Sequence, residues 1–283
     1  MNPLDPIGVA QAIDAALAED LGRAGDITTF ATIPEQAQAN AAIVARAFGR
    51  IAGLPLAKAA FRRLDPAVRF EAELTDGDIL TAGTVIALIS GRARAILTAE
   101  RVALNYLGRL SGIASATAAF AEKIAHTNAK IVDTRKTTPG LRVFEKYAVR
   151  CGGGVNHRFG LDDAILIKDN HIAVAGGITP ALRAAKAAAG HLVKVEIEVD
   201  TLDQLDEVLT EGADAVLLDN MPPELLREAV RRIGKQLIAE ASGGVTLENV
   251  AAIAETGVDL ISSGWITHSA PNLDLGLDIK ITA

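Results

Sequence analysis

The side chains best suited to chemistry crowd into three stretches of a 283-residue chain: Asp133-Thr134-Arg135-Lys136, Asn156-His157-Arg158 and Lys168-Asp169-Asn170-His171. Arg135, Lys136, Arg158 and Lys168, with His157 beside them, make a cation set in a sequence whose formal net charge is -7. Arginine's planar fork matches carboxylates and phosphates two bonds at a time. Drawing such groups out of water costs several kcal/mol per ion unless anions compensate them. Glu198, Asp219 and Asp169 could compensate part of the charge internally, which is the purely structural alternative. A polyanionic ligand accounts for the cluster better.

Carboxylates and glycines recur at matching places. Glu198 and Asp219 each lie at the end of an apolar run, and Mg²⁺ favours one or two carboxylates completed by water and substrate phosphates. Ser242-Gly243-Gly244 and Ser262-Ser263-Gly264 close two further runs. Backbone N–H groups in such turns, beside a helix start capped by Thr246, suit a phosphate. A strand-SGG-helix junction taken alone is as often only a tight turn. Zinc is not expected, because the five histidines lack ligand spacing and Cys151 has no partner cysteine.

Apart from Asn156-His157-Arg158, these residues sit where short β-rich runs end: 130–133, 164–168, 193–199, 214–219, 237–241 and 259–264. Amphipathic segments such as 180–189 and 222–233 separate the later ones, so the second half reads as a βα repeat. Six strands with room for a seventh predict an α/β fold built on a TIM-like barrel, complete or short of the usual eight, whose strand ends form one rim. A doubly wound open sheet is the competing architecture. The first 110 residues or so mix a helix over 6–21, strands over 41–47, 68–74 and 85–90 and a helix over 56–64, which predicts a separate, sandwich-like α+β domain. The division expected is 1–110 and 111–270.

Two helices carry further expectations. One spans 93–125 and is expected to break at Gly108–Gly112; it buries Val102, Ala103, Tyr106, Leu107 and Leu110 and leaves Arg101, Asn105 and Arg109 as a solvated row. The other starts with Thr138 as N-cap and Pro139 at its first position, carries an apolar stripe of Leu141, Phe144, Ala148 and Cys151, and stops at Gly152-Gly153-Gly154. That glycine run ends a helix, so it is no dinucleotide fingerprint. It returns Asn156, His157 and Arg158 to the rim.

Composition bounds the rest. With 49% hydrophobic and 22% charged residues the chain is long enough for one or two proper cores, and an acidic balance argues against a general nucleic-acid binder. No apolar run approaches the ~20 residues that span a bilayer, and the start MNPLDPIGVA lacks the basic and apolar segments of a signal peptide. A single cysteine allows no internal disulfide. A cytoplasmic protein without membrane or nucleic-acid partners is expected.

The sequence resembles the quinolinate phosphoribosyltransferase family over nearly its whole length. The resemblance is carried by EDLGRAGDITT (19–29), ERVALNYLGRLSGIAS (100–115), DTRKTTPGLR (133–142), KYAVRCGGGVNHRFGLDDAILIKDNH (146–171), VEIEVD (195–200), LLDNM (217–221), EASGGV (240–245) and SSGWITHSAP (262–271), of which the DTRKTTPGLR and KYAVRC blocks are the most specific. It implies an N-terminal α/β domain, an incomplete barrel and a tail, 271–283, that returns to the first domain. It implies the transfer of phosphoribose from phosphoribosyl pyrophosphate to quinolinate with loss of carbon dioxide, in NAD synthesis. By matching motif, Thr134, Arg135, Lys136, His157, Arg158 and Lys168 would bind quinolinate and pyrophosphate; Glu198 and Asp219 would hold the ribose and Mg²⁺; Ser242, Gly243, Gly244, Ser263 and Gly264 would hold the 5′-phosphate, with His268 nearby. Lys136, Lys168, Glu198 and Asp219 would be the catalytic set. Arg101 matches an arginine that enters the partner subunit's site, which implies a homodimer or a larger assembly. Trp265 stands where the family pattern carries a small residue. A relative using nicotinate, a relative in molybdenum utilisation, a Schiff-base aldolase with Lys168 as nucleophile and a non-catalytic phosphometabolite binder are the alternatives.

Overall fold

A computed structural model describes residues 3–280, so the last three residues of the expected tail lie outside the described residues. The chain forms two compact units: one of residues up to 116, 144–152 and 270 onward, the other of 117–143 and 153–269.

In the first unit, α1 (Pro6–Leu21) starts where Asp5 accepts hydrogen bonds from the N–H groups of Ile7 and Gly8, and it buries Val9, Ile13 and Leu17. α2 (Ile27–Thr32) starts on Asp26 and was not foreseen. β1 (Gln38–Ala45), β3 (Arg69–Ala72), β5 (Val85–Arg92) and β12 (Leu275–Lys280) form an antiparallel sheet in the order β12-β1-β5-β3; β2 (Gly49–Arg50) and β4 (Ile79–Leu80) make a small second one. The C-terminal segment is thus a strand of this unit, paired with β1 from Asn40–Lys280 to Ala45–Leu275. α3 (Leu54–Leu64) buries Leu56, Ala57, Ala60 and Phe61.

α4 (Ala93–Lys123) runs through Gly108 and Gly112 without the expected break. These glycines serve close approach instead. A Cβ at Gly112 would overlap the Pro271 carbonyl, and Gly108 lies against the Leu273 carbonyl while its own carbonyl accepts from the Leu273 N–H at 2.9 Å. Arg101 and Asn105 are exposed, but Arg109 departs from the solvated row. Its guanidinium bonds Glu145 at 2.9 Å and the Ala270 carbonyl at 3.0 Å.

α5 (Arg142–Cys151) starts three residues later than Pro139 predicts, because Gly140 sits at φ +80, where a right-handed helix cannot pass; Thr138 and Leu141 close a turn instead. Phe144 to Val149 are buried all round, including Glu145 and Lys146, and this stretch belongs to the first unit although the sequence division put it in the second. The Glu145 pair with Arg109 and the Tyr147 hydroxyl bond to Asp76, 2.6 Å, satisfy polar groups there.

The second unit carries six parallel strands: β6 (Lys130–Val132), β7 (Ile165–Ile167), β8 (Val195–Val199), β9 (Ala215–Asp219), β10 (Ile238–Ser242) and β11 (Leu260–Ser262). α6 (Asp169–Ala175), α7 (Ile178–Ala188), α8 (Leu202–Glu211), α9 (Pro223–Ile233), α10 (Val250–Ala254) and α11 (Trp265–His268) alternate with them. The sheet order is β6-β11-β10-β9-β8-β7. Strands β7 to β11 follow one another in sequence, and β11 then pairs with the first strand, β6. That is a cylinder's cyclic order opened between β6 and β7, and it lacks the reversal of a doubly wound sheet. A single parallel bridge, Val132 to Val155, extends the β6 edge. Val195, Ile197 and Val199 are buried while Glu196 and Glu198 are only partly so, the alternation of a barrel strand with carboxylates inward and valine and isoleucine under the helices.

Candidate active site

Strand ends of the second unit surround one cavity of about 760 Å³. Thr134, Arg135, Lys136, His157, Arg158, Lys168, Glu198, Asp219, Ser242, Gly243, Gly244, Ser263, Gly264 and His268 all line it. Arg101 does not; it lies exposed on α4, in the first unit.

The cationic wall is built by Asp133. Fully buried at the end of β6, it accepts from the Asn156 side-chain amide at 2.6 Å and from the His157 N–H at 2.9 Å, which fixes the returning loop. Arg158 then bonds the Ala164 carbonyl at 3.0 Å, and Arg142 bonds Thr137 and the Phe159 carbonyl, tying 134–142 to the same loop. Burial pulls the Arg158 guanidinium below its ordinary value, and the charge of Arg135 adds to the effect against the pull of Asp163 and Glu196. A partly buried guanidinium whose charge is opposed by a second one nearby suits an anion.

His157 is not a free cation of this wall. Its Nδ1 accepts the Arg158 N–H at 2.7 Å, which leaves the ring proton on Nε2, 3.0 Å from Glu196 and 3.8 Å from Glu240. The ligand atoms of these three residues lie within 4.8 Å of one another, a spacing that would suit a metal ion. A metal on Nε2 would need that proton gone while Nδ1 has none, so the set reads as a hydrogen-bonded floor. Glu240 is 1% exposed, its Oε1 has no hydrogen-bond partner, and its carboxyl is pushed up to about 7 by burial first and then by the charges of Glu196 and Asp133, with His157 and Ser262 opposing. Sequence reasoning passed over Glu240; strand alternation, which turns Glu240 and Ser242 to the same side of β10, could have found it.

The opposite wall is carboxylate and glycine. Lys168 pairs with Glu198 at 2.6 Å. Burial raises the Asp219 carboxyl, Glu198 and Asp200 raise it further, and the Asn220 hydrogen bond and Lys168 oppose them. Gly243 and Gly244 both lie in the left-handed region, φ +88 and +58. The regular helix after them starts only at Val250, since Thr246 accepts from the Glu248 N–H in an intervening turn. Gly264 makes room for Lys136: a Cβ there would come within 2.8 Å of Lys136 Cδ and 3.2 Å of the His268 ring. Trp265, half-exposed at the cavity, packs 5.9 Å from Phe120.

An open βα cylinder whose strand ends carry paired guanidiniums, two carboxylates and two glycine turns defines an enzyme of the barrel class that handles polyanionic, phosphate-bearing molecules. Comparison with known proteins takes this one step further. The chain belongs to the quinolinate phosphoribosyltransferase family: the family model "Quinolinate phosphoribosyl transferase, N-terminal domain" matches residues 26–111 and "Quinolinate phosphoribosyl transferase, C-terminal domain" matches residues 113–278. It is 47% identical over 264 residues to the probable nicotinate-nucleotide pyrophosphorylase (carboxylating) of Bacillus subtilis, covering 93% of this chain and 91% of the relative. The nicotinate-nucleotide pyrophosphorylase (carboxylating) of Mycobacterium leprae is 46% identical over 272 residues, covering 94% and 95%. A crystal structure of NadC from Streptococcus pyogenes superposes with a TM-score of 0.96 at 40% identity over 100% of both chains.

Proposed function

We infer that this chain is a pentosyltransferase that joins quinolinate to phosphoribosyl pyrophosphate, releasing pyrophosphate and carbon dioxide and leaving nicotinate mononucleotide, a step of de novo NAD synthesis. The observation that carries the reading is the Arg135–Arg158 pair, whose mutual repulsion a doubly ionised aromatic acid relieves. Thr134, Arg135, Lys136, His157, Arg158 and Lys168 hold the acid and the pyrophosphate, with His157 fixing the Arg158 backbone through Nδ1. Ser242, Gly243, Gly244, Ser263 and Gly264 receive the 5′-phosphate, with His268 beside them, and Glu198 and Asp219 face the ribose.

Glu198 and Asp219 fit a divalent cation, because the charge of Glu198 raises the Asp219 carboxyl and the opposing ammonium, Lys168, is already paired with Glu198. Mg²⁺ held there would supply charge neutralisation for the pyrophosphate. The pyridine nitrogen forms a bond to the anomeric carbon as the carbon–oxygen bond to pyrophosphate breaks, the electron pair leaving with oxygen. The cationic ring then accepts the electron pair of the carbon–carboxylate bond, carbon dioxide departs, and the ring carbon takes up a proton. Orientation and electrostatics carry this chemistry without a covalent nucleophile. Arg101, exposed on α4, is the group we assign to the cavity of a partner subunit in a homodimer or larger assembly, and we place the enzyme in the cytoplasm.

Incubation with quinolinate, phosphoribosyl pyrophosphate and Mg²⁺ tests the reaction: carbon dioxide and nicotinate mononucleotide should appear together, and nicotinate offered instead should give no product. Arg158→Ala with unchanged quinolinate affinity would overturn the site assignment.

A further inference from the structure

Asn220 has no part in the site as assigned so far, yet its geometry is unusual in three ways. It is the one non-glycine residue with positive φ, +53, among the described residues. Its side-chain Nδ2 donates to Asp219 Oδ2 at 2.6 Å; the reversed amide would set an oxygen against a carboxylate, so the orientation is fixed by its partner. Its backbone N–H donates to the Ser242 carbonyl at 2.9 Å, one residue beyond the last β9–β10 pair, Asp219 with Ser242.

The facing loop is shaped around it. Gly243 lies so close that a Cβ there would come within 2.6 Å of Asn220 Cγ and 3.0 Å of Asn220 N. Asn220 and Gly243 therefore interlock: the amide oxygen lies against Gly243, where a Cβ would overlap it, while the amide nitrogen faces Asp219. A residue at this φ is best glycine, asparagine or aspartate. Of these three only asparagine brings a side-chain donor.

We propose that Asn220 is a positioning residue for the phosphoribosyl substrate, holding one oxygen of Asp219 so that the other stays turned to the cavity. The proposal rests on the reading of Asp219 given above. It separates two roles that a single substitution would confuse, since Asn220→Gly keeps the left-handed backbone accessible while removing the side-chain amide, and Asn220→Asp keeps the side chain's shape and sets a second negative charge against Asp219.

The test is calorimetric titration of phosphoribosyl pyrophosphate with Mg²⁺ in the absence of quinolinate, with titration of quinolinate alone and thermal melting in parallel. Asn220→Gly should weaken phosphoribosyl pyrophosphate about tenfold, the scale of one hydrogen bond to a charged group. Asn220→Asp should weaken it further, and neither should move quinolinate affinity more than twofold. Binding of phosphoribosyl pyrophosphate by Asn220→Gly within twofold of the native protein, or equal losses for both ligands, overturns the proposal. Asp219→Asn is the control. If it weakens phosphoribosyl pyrophosphate while Asn220→Gly does not, positioning alone has failed; if it too binds normally, the role of Asp219 has failed with it.

Discussion

Replacing Glu240 with glutamine tests whether the floor of the cylinder carries a proton near neutral pH. The carboxyl is 1% exposed, has one oxygen without a partner and faces the charges of Glu196 and Asp133, with His157 and Ser262 acting the other way. Together these move it from 4.5 to about 7. At ~1.4 kcal/mol per pKa unit, the displacement is worth about 3 kcal/mol. Because the folded value lies above the unfolded one, the folded state binds the proton more tightly. The associated stability is fully present below pH 4.5 and is lost as pH rises through 7. Glutamine mimics the protonated acid in shape and charge, so Glu240→Gln should stabilise the protein at pH 8 and do little at pH 4.5. At roughly 2 °C or more per kcal/mol, the melting temperature of the variant should exceed the native one by about 6 °C at pH 8. Melting curves of both proteins from pH 4.5 to 8.5 measure this. A difference in melting temperature that is the same at every pH, or larger in acid, would refute the reasoning.

Three other positions test close contacts within the two units. Gly112→Ala gains up to ~1 kcal/mol of helix propensity, but its methyl must displace the Pro271 carbonyl; a net loss of about 2 kcal/mol in urea unfolding and faster proteolysis of the β12 segment are expected. Arg109→Ala removes the guanidinium that pairs with the fully buried Glu145 carboxylate and should cost about 3 kcal/mol, with Arg109→Lys recovering only part because an ammonium cannot reproduce the two-sided bond to Glu145 and the Ala270 carbonyl. Gly264→Ala meets only the flexible end of Lys136 and the edge of His268, so melting should stay within about 2 °C of native while kcat/KM falls at least tenfold, of order 1.4 kcal/mol in the transition state.

Much of this architecture was legible because each strand of the second unit ends in a polar residue that the βα rhythm carries to a common rim. The run VEIEV already shows the reason: valine and isoleucine alternate with glutamate, and a period of two sends Glu196 and Glu198 to the same side of β8. What the run cannot show is depth. Glu198 lies one step nearer the end of β8 than Glu196 and pairs there with Lys168, while Glu196 and Glu240 meet His157. The register sets Glu198 level with Glu240, both opposite Leu217, a placement that appears only once β8 and β10 are paired through β9. The misread helices fail for the same reason of distance along the chain. Gly108 and Gly112 look like breaks until residues 271–273 arrive to fill the groove they open, and Arg109 looks solvent-facing until Glu145, 36 residues later, is brought beside it. Local pattern thus identified which residues meet at the rim. The groups that hold them there, Asp133, Glu240 and Asn220, lie in the same short motifs, but their roles come from partners contributed by other strands and loops.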